Sequence, residues 1–186
     1  MKRKLPLLAA LLLLAPVLPV IAQPSAGGIV YGPKGAFNLS APKGWKLDPT
    51  AGAQQHLPCV LYPDGATWET AEPLMYAKIA GTNYENYETF ARDAIADMKK
   101  KRGGFTMKRI ASGKTAGGQP YFINEYPACD GYKRPERVAY VQLPRAVAYI
   151  VFSADEKATL QKHQAALEEA VKSLRSMNAD YPGKPK

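Results

Sequence analysis

Histidine and cysteine are the scarcest reactive residues in this chain, two of each among 186, and their scarcity excludes most ways of holding a metal or building a nucleophilic site. A zinc site needs three or four protein ligands. His56 and Cys59 share the stretch H-L-P-C, but His163 stands far along the chain in a helical pattern. No metal and no cofactor are therefore expected. The sequence also lacks a G-x-S-x-G elbow and an H-E-x-x-H helix motif, the signatures of an esterase nucleophile and a metalloprotease. Gly113-Lys114-Thr115 has the ending of a phosphate loop, yet Lys108 stands where the motif needs its first glycine.

Long apolar runs are absent beyond residue 22, so nothing in the rest of the chain is suited to spanning a bilayer. Before that point Lys2, Arg3 and Lys4 precede L-P-L-L-A-A-L-L-L-L-A-P-V-L-P-V-I-A, which Pro6, Pro16 and Pro19 interrupt. This is the pattern of a secretory signal over residues 1–22, with Val20 and Ala22 at the cleavage positions and Gln23 as the mature start. An uncleaved anchor is the alternative, because the stretch approaches the length of a span. No cysteine lies near the junction, which argues against a lipoprotein. The predicted location is outside the cytoplasm, in the periplasm.

Removing the three signal cations takes the formal net charge from +9 to +6, since residues 1–22 hold no acid. A moderately basic exported protein suits acidic partners or anionic envelope surfaces. Export argues against nucleic acid as a partner. Residues 23–28 read as a flexible lead, 29–178 as one domain, and 179–186 as a disordered basic tail.

An even pair of cysteines in an oxidising compartment predicts a Cys59–Cys129 disulfide. Closing a loop of about 70 residues would stabilise the fold by roughly 4 kcal/mol in the chain-entropy model. A reactive thiol, a site built on His56 and Cys59, and two buried unpaired thiols are the other readings.

Alternation at Phe37, Leu39 and Ala41 and a turn at Pro42-Lys43-Gly44 predict a hairpin whose second strand carries Trp45 and Leu47. C-V-L-Y and P-L-M-Y-A-K-I-A-G-T read as strands around a loop that turns at Asp64-Gly65. Tyr87, Phe90, Ala91, Ala94, Ile95 and Met98 then recur at helical spacing behind Asn86 as N-cap. Lys99, Lys100, Lys101 and Arg102 fall on the last turn of that helix, before Gly103-Gly104. Cations there complement the helix dipole, and glycine ends the helix. An anion-binding role for the four is the competing reading. F-T-M-K-R-I-A-S-G-K-T, with uncertain facing, and Q-P-Y-F-I-N-E-Y form two strands about Gly117-Gly118. R-V-A-Y-V-Q-L and V-A-Y-I-V-F-S follow as central antiparallel strands. Leu160, Gln164, Leu167, Val171 and Leu174 mark a second long helix, with His163 half-buried at its edge.

The order F-N-L-S-A-P-K-G-W, P-L-M-Y-A-K-I, Y-E-T-F-A-R-D-A-I, A-Y-I-V-F-S-A and L-E-E-A-V-K-S-L-R-S-M resembles the PsbP-like superfamily over nearly the whole mature chain. The resemblance implies an α+β fold, an antiparallel β-sheet of about six strands flanked by two main α-helices in a sandwich. It also implies a protein that binds other proteins and is not an enzyme.

Two loops hold acids, Asp64, Glu69 and Glu72 in one, Glu125, Asp130 and Glu136 about the other. A hydrolase using a carboxylate pair from these loops is thus an alternative. The same loops carry Tyr62, Trp68, Tyr132, Lys133 and Arg134, residue types that anchor protein interfaces. A disulfide joining the loops would make those five one protein-binding patch. The leading expectation is a binding or accessory protein that meets a protein partner in the cell envelope, as an assembly factor or as an immunity or inhibitor protein. Electrostatic attachment to anionic envelope polymers through Lys99–Arg102 is the remaining alternative.

Overall fold

A computed structural model describes residues 27–177. The predicted signal segment (residues 1–22), most of the predicted lead and the predicted tail lie outside the described residues. The elements, in chain order, are β1 (Gly27–Gly32), β2 (Gly35–Ser40), β3 (Trp45–Asp48), β4 (Val60–Pro63), β5 (Leu74–Ile79), α1 (Tyr87–Arg102), β6 (Lys108–Lys114), β7 (Pro120–Tyr126), β8 (Glu136–Gln142), β9 (Val147–Ser153), α2 (Lys157–Lys162), α3 (Gln164–Ser173) and β10 (Arg175–Met177).

Seven strands form one antiparallel sheet in the order β3-β4-β5-β9-β8-β7-β6, and three form a second in the order β1-β2-β10. The expected α+β sandwich is therefore present, with a main sheet of seven strands where about six were predicted, plus a small second sheet. On one face of the main sheet, Leu61, Met75, Ala139, Ile150 and Phe152 pack against Val30, Phe37 and Leu39 of the small sheet and Leu160, Leu167 and Val171 of α2 and α3. On the other face an aromatic layer, Phe122, Tyr126 and Tyr140 with Phe90, Tyr87 and Tyr149, lies under α1. Val60, Tyr62, Trp68 and Ala71 close the β3–β4 end of that face.

The predicted hairpin across Pro42–Gly44 is corrected. The turn exists, with Trp45 N–H donating to Pro42 O at 3.0 Å and Gly44 at φ 75°. The chain uses it to change sheets, since β2 pairs with β1 and β10 whereas β3 pairs with β4. Both segments bury the same alternate residues in one core. The pattern of apolar residues is then identical whether the two strands pair or face each other across that core.

Three smaller departures have physical causes. Gly27 and Gly28, assigned to the flexible lead, open β1. A Cβ on Gly28 would lie 2.5 Å from Leu47 Cδ2, and one on Gly32 would lie 2.6 Å from Ile79 Cγ2. These glycines let β1 rest directly on β3 and β5. The uncertain facing of residues 105–115 reflects a register shift between Arg109 and Ala111, a bulge at Ile110. The last helix is interrupted at half-buried His163, whose ring stands edge-on to Trp45 with centroids 5.9 Å apart. Burial and neighbouring Lys162 hold this imidazole below its ordinary pKa.

The disulfide is also corrected: Cys59 and Cys129 are both free thiols. Cys59 packs in the core beneath the small sheet. Cys129, in the loop between β7 and β8, donates to Arg102 O at 3.3 Å, at the end of α1 on the opposite face. Three strand spacings separate β4 from β8, roughly 14 Å at about 4.8 Å each. A bridge tolerates a Cα separation of only about 7 Å. Burial pushes the Cys59 thiol up to about 12. Alkylation of the folded chain is expected to modify Cys129 and spare Cys59. Denatured, unreduced protein should then show two free thiols by mass spectrometry, with a melting midpoint unchanged by reductant. A Cys59–Cys129 peptide in an unreduced digest would contradict this.

Candidate functional site

The loops between β4 and β5 and between β7 and β8 do meet at one end of the main sheet. Their link is Arg134, and no disulfide is involved. Its guanidinium donates to Glu72 Oε2 at 2.7 Å, to Ser153 Oγ at 3.1 Å, and to Asp155 Oδ1. Glu72 in turn accepts the Asp155 N–H at 2.6 Å. Tyr62 is 3 % exposed and Trp68 8 %. The Tyr62 hydroxyl donates to Asp48 at 3.0 Å, and the Trp68 indole N–H donates to Gln55 at 2.7 Å. Both rings therefore cover the β3–β4 end of the sheet, and the solvent-facing part of the predicted patch contracts to Tyr132, Lys133 and Arg134. Tyr132 is half-buried, with its hydroxyl on Glu136 at 2.9 Å, and Lys133 is exposed and lies 3.5 Å from Asp130.

The basic run divides. Arg102 turns inward, 2.6 Å from the Glu136 carboxylate and 3.8 Å above the Tyr132 ring. Gly131 N–H donates to Arg102 O at 3.0 Å, so the β7–β8 loop caps α1. A Cβ at Gly131 would lie 2.5 Å from that carbonyl oxygen. Lys99 sits over the Phe105 ring, Lys100 lies 3.8 Å from Asp97, and Lys99, Lys100 and Lys101 are all exposed. At the other end of α1, Asn86 Oδ1 accepts from Glu88 and Thr89 N–H, the predicted N-cap.

The acids divide likewise. Glu72 is held by Arg134, Glu136 by Arg102, and Glu125 by Arg137 and Lys157. Asp64 and Glu69 are exposed on their loop. Each of the three paired carboxylates has a fixed cation beside it, so none is placed as one half of a free acid and base pair. Among the described residues no three His, Cys, Asp or Glu side chains come together to hold a metal, and His56 and Cys59 form no such group. Gly113 and Lys114 finish β6, and buried Thr115 bonds Gln119 in the following turn, so no phosphate loop forms.

What the ion pairs leave open is a strand edge. Among the described residues the two sheets have four edge strands, β1, β10, β3 and β6. Exposed edges are ordinarily blunted by charge, brevity or a bulge. β6 carries Lys108, Arg109, Lys114 and its bulge. β3 has four residues and Lys46, and β10 three residues and Arg175. β1, G-G-I-V-Y-G, has six residues and no charge. Its outer face presents Ile29, 42 % exposed, and Tyr31, 40 % exposed. Sequence reasoning passed over this strand because glycines flank it and two of them fall in the apparent lead. Its signal was the uncharged alternation Ile29, Tyr31 against Val30.

The architecture defines the class: a PsbP-like α+β sandwich. Among solved structures, the chain is similar to cyanobacterial PsbP (CyanoP) from Synechocystis sp. PCC 6803, at TM-score 0.52 and 12 % identity, over 88 % of this chain and 99 % of that one. It is also similar to LpqN of Mycobacterium tuberculosis, a protein involved in cell envelope biogenesis, at TM-score 0.52 and 15 % identity, over 82 % and 91 %. These likenesses establish the fold expected from the sequence resemblance. Comparison with protein-family models and with curated proteins finds no match. Among the described residues no helix is long and apolar enough to cross a membrane.

Proposed function

We propose that this is a non-catalytic accessory protein of the cell envelope that binds another protein, and that it does so by accepting a strand on the edge of β1 that no described strand pairs. The observation that carries this reading is the contrast among the four edges: β1 alone is six residues long, uncharged and flanked by exposed apolar side chains. Strand addition supplies affinity through main-chain hydrogen bonds and specificity through alternate side chains. The secretory pattern read at residues 1–22 supports an encounter outside the cytoplasm.

The test is Ile29→Lys, which puts a charge on the edge in the way natural edge strands are protected. Because Ile29 faces solvent, the change is expected to leave stability within about 0.5 kcal/mol. Tagged protein recovered from its native envelope should lose its stoichiometric partner with Ile29→Lys and keep it with Lys133→Glu. Retention with Ile29→Lys and loss with Lys133→Glu would return the interface to the β7–β8 loop.

A further inference from the structure

Two aspartates in the sequence are followed by glycine, at Asp64-Gly65 and Asp130-Gly131. An Asp-Gly peptide can rearrange without an enzyme. The glycine nitrogen attacks the carbon of the aspartate side-chain carboxyl, a C–N bond forms, and the carboxyl's hydroxyl leaves with the amide proton as water. Water then opens the cyclic imide at either carbonyl, which returns aspartate or gives isoaspartate, whose main chain runs through the side-chain carbon. Glycine favours the closure because it has no Cβ in the way and its backbone turns easily. The fold decides whether its nitrogen is available.

The two pairs share a setting. Both aspartates are exposed, and each pair stands at the centre of a turn. Ala66 N–H donates to Pro63 O at 3.2 Å across the first, and Tyr132 N–H donates to Cys129 O at 3.0 Å across the second. They differ at the glycine nitrogen. Gly131 N–H donates to Arg102 O at 3.0 Å, and a Cβ on Gly131 would lie 2.5 Å from that same oxygen, so this peptide is pressed against the end of α1. Cys129 N–H closes the turn a second time on Tyr132 O at 2.8 Å, and Glu136 and Arg102 fix the Tyr132 hydroxyl and ring. The Gly131 nitrogen must leave Arg102 before it can reach the Asp130 carboxyl. At the other turn, Asp64 N–H donates to Gly44 O at 2.9 Å. Among the described residues no hydrogen bond takes up the Asp64 C=O or the Gly65 N–H. The peptide plane between them is held only through its neighbours and can rotate. Gly65 stands at φ 83°, and nothing lies within 4 Å of where its Cβ would be.

We infer that Asp64 is a site of spontaneous isoaspartate formation in the folded chain, and that the contact of Gly131 with the end of α1 protects Asp130 from the same reaction. Breaking a backbone hydrogen bond is the local opening that gates chemistry at an amide, and only Gly131 has such a bond to break. Isoaspartate at position 64 lengthens the main chain inside the turn, so the Ala66-to-Pro63 bond cannot close as it does now. The reaction uses no residue of β1 and does not depend on the edge reading above.

The experiment holds the folded mature chain in warm neutral buffer, labels isoaspartate with an isoaspartyl methyltransferase, and locates the label by digestion and mass spectrometry. Label is expected at residue 64 about tenfold faster than at residue 130, the ratio set by the one hydrogen bond that must open first. Asp64→Glu should remove the faster signal and leave the signal at residue 130 unchanged. In urea, where the Arg102 contact is lost, the two positions should label alike. Equal labelling of the two positions in the folded chain, or none at residue 64, would overturn the inference. A difference that persists in urea would place its cause in the neighbouring residues and overturn the protection by α1.

Discussion

Arg137→Leu is expected to lower the free energy of unfolding by about 3 kcal/mol, the low end for breaking a buried ion pair. Arg137 stands on β8 with 5 % exposure. It donates to Glu125 Oε2 from Nε at 3.0 Å and from Nη2 at 2.6 Å, and its Nη1 reaches Leu160 O at 2.8 Å and the Gln164 side chain. One guanidinium thus ties β7 and β8 to the α2–α3 junction. Leucine would fill part of the space but leave the Leu160 carbonyl and Gln164 without their donor, and Glu125 with Lys157 alone. Lys157 lies 2.7 Å from Glu125 and is largely exposed, so Lys157→Ala should cost less than about 1 kcal/mol. Urea denaturation at neutral pH separates the two variants. A shift for Arg137→Leu no larger than that for Lys157→Ala would show that the cluster does not hold the fold.

The same cluster predicts a pH effect. Burial alone would raise the Glu125 carboxyl, but Lys157 and Arg137 outweigh it and hold it below its ordinary value of 4.5. A depressed carboxylate stabilises the fold above its unfolded pKa, and that contribution is lost as pH falls through the folded value. The wild-type chain should therefore lose stability below about pH 4.5, and Arg137→Leu should lose less of it over that range.

The second large effect resolves the basic run. Arg102→Ala is expected to cost about 2–3 kcal/mol, because Glu136 would keep only the Tyr132 hydroxyl. The triple change of Lys99, Lys100 and Lys101 to Gln should stay within about 1 kcal/mol, the range of helix-dipole and surface-pair terms. Guanidine melts of the two variants make the comparison. Equal losses would mean that the run acts as one charged patch and that Arg102 has no separate structural role.

How much of this was legible follows from what each signal depends on. α1 was readable because Asn86, the apolar stripe and Gly103 are all local, and its cap bonds form as the spacing predicts. Strands β4, β5, β7, β8 and β9 were readable because each is an apolar run bounded by turn residues. Pairing was not. Alternation in residues 37–47 states which side chains are buried and says nothing of which strand lies alongside, so the change of sheet at Pro42–Gly44 was invisible. β10 has three residues and no pattern of its own. The cysteine prediction rested on compartment and count, neither of which knows that the main sheet lies between the two thiols. The aromatic patch failed in part for the same reason. Tyr62 and Trp68 are interface-type residues, and large aromatics serve equally to close the end of a sheet. The acids and arginines were seen as separate loop charges, and only the fold joined Glu72 to Arg134, Glu136 to Arg102 and Glu125 to Arg137.

The central claim is that β1 is the edge on which a partner strand pairs, and site-specific photocrosslinking tests it most directly. A benzophenone side chain would replace Ile29 in one variant and Lys133 in another, each expressed in the native cell and irradiated there. A discrete adduct with one protein from position 29, and none from position 133, is the expected result. An adduct from position 133 with none from position 29 would contradict the account and place the interface at the β7–β8 loop.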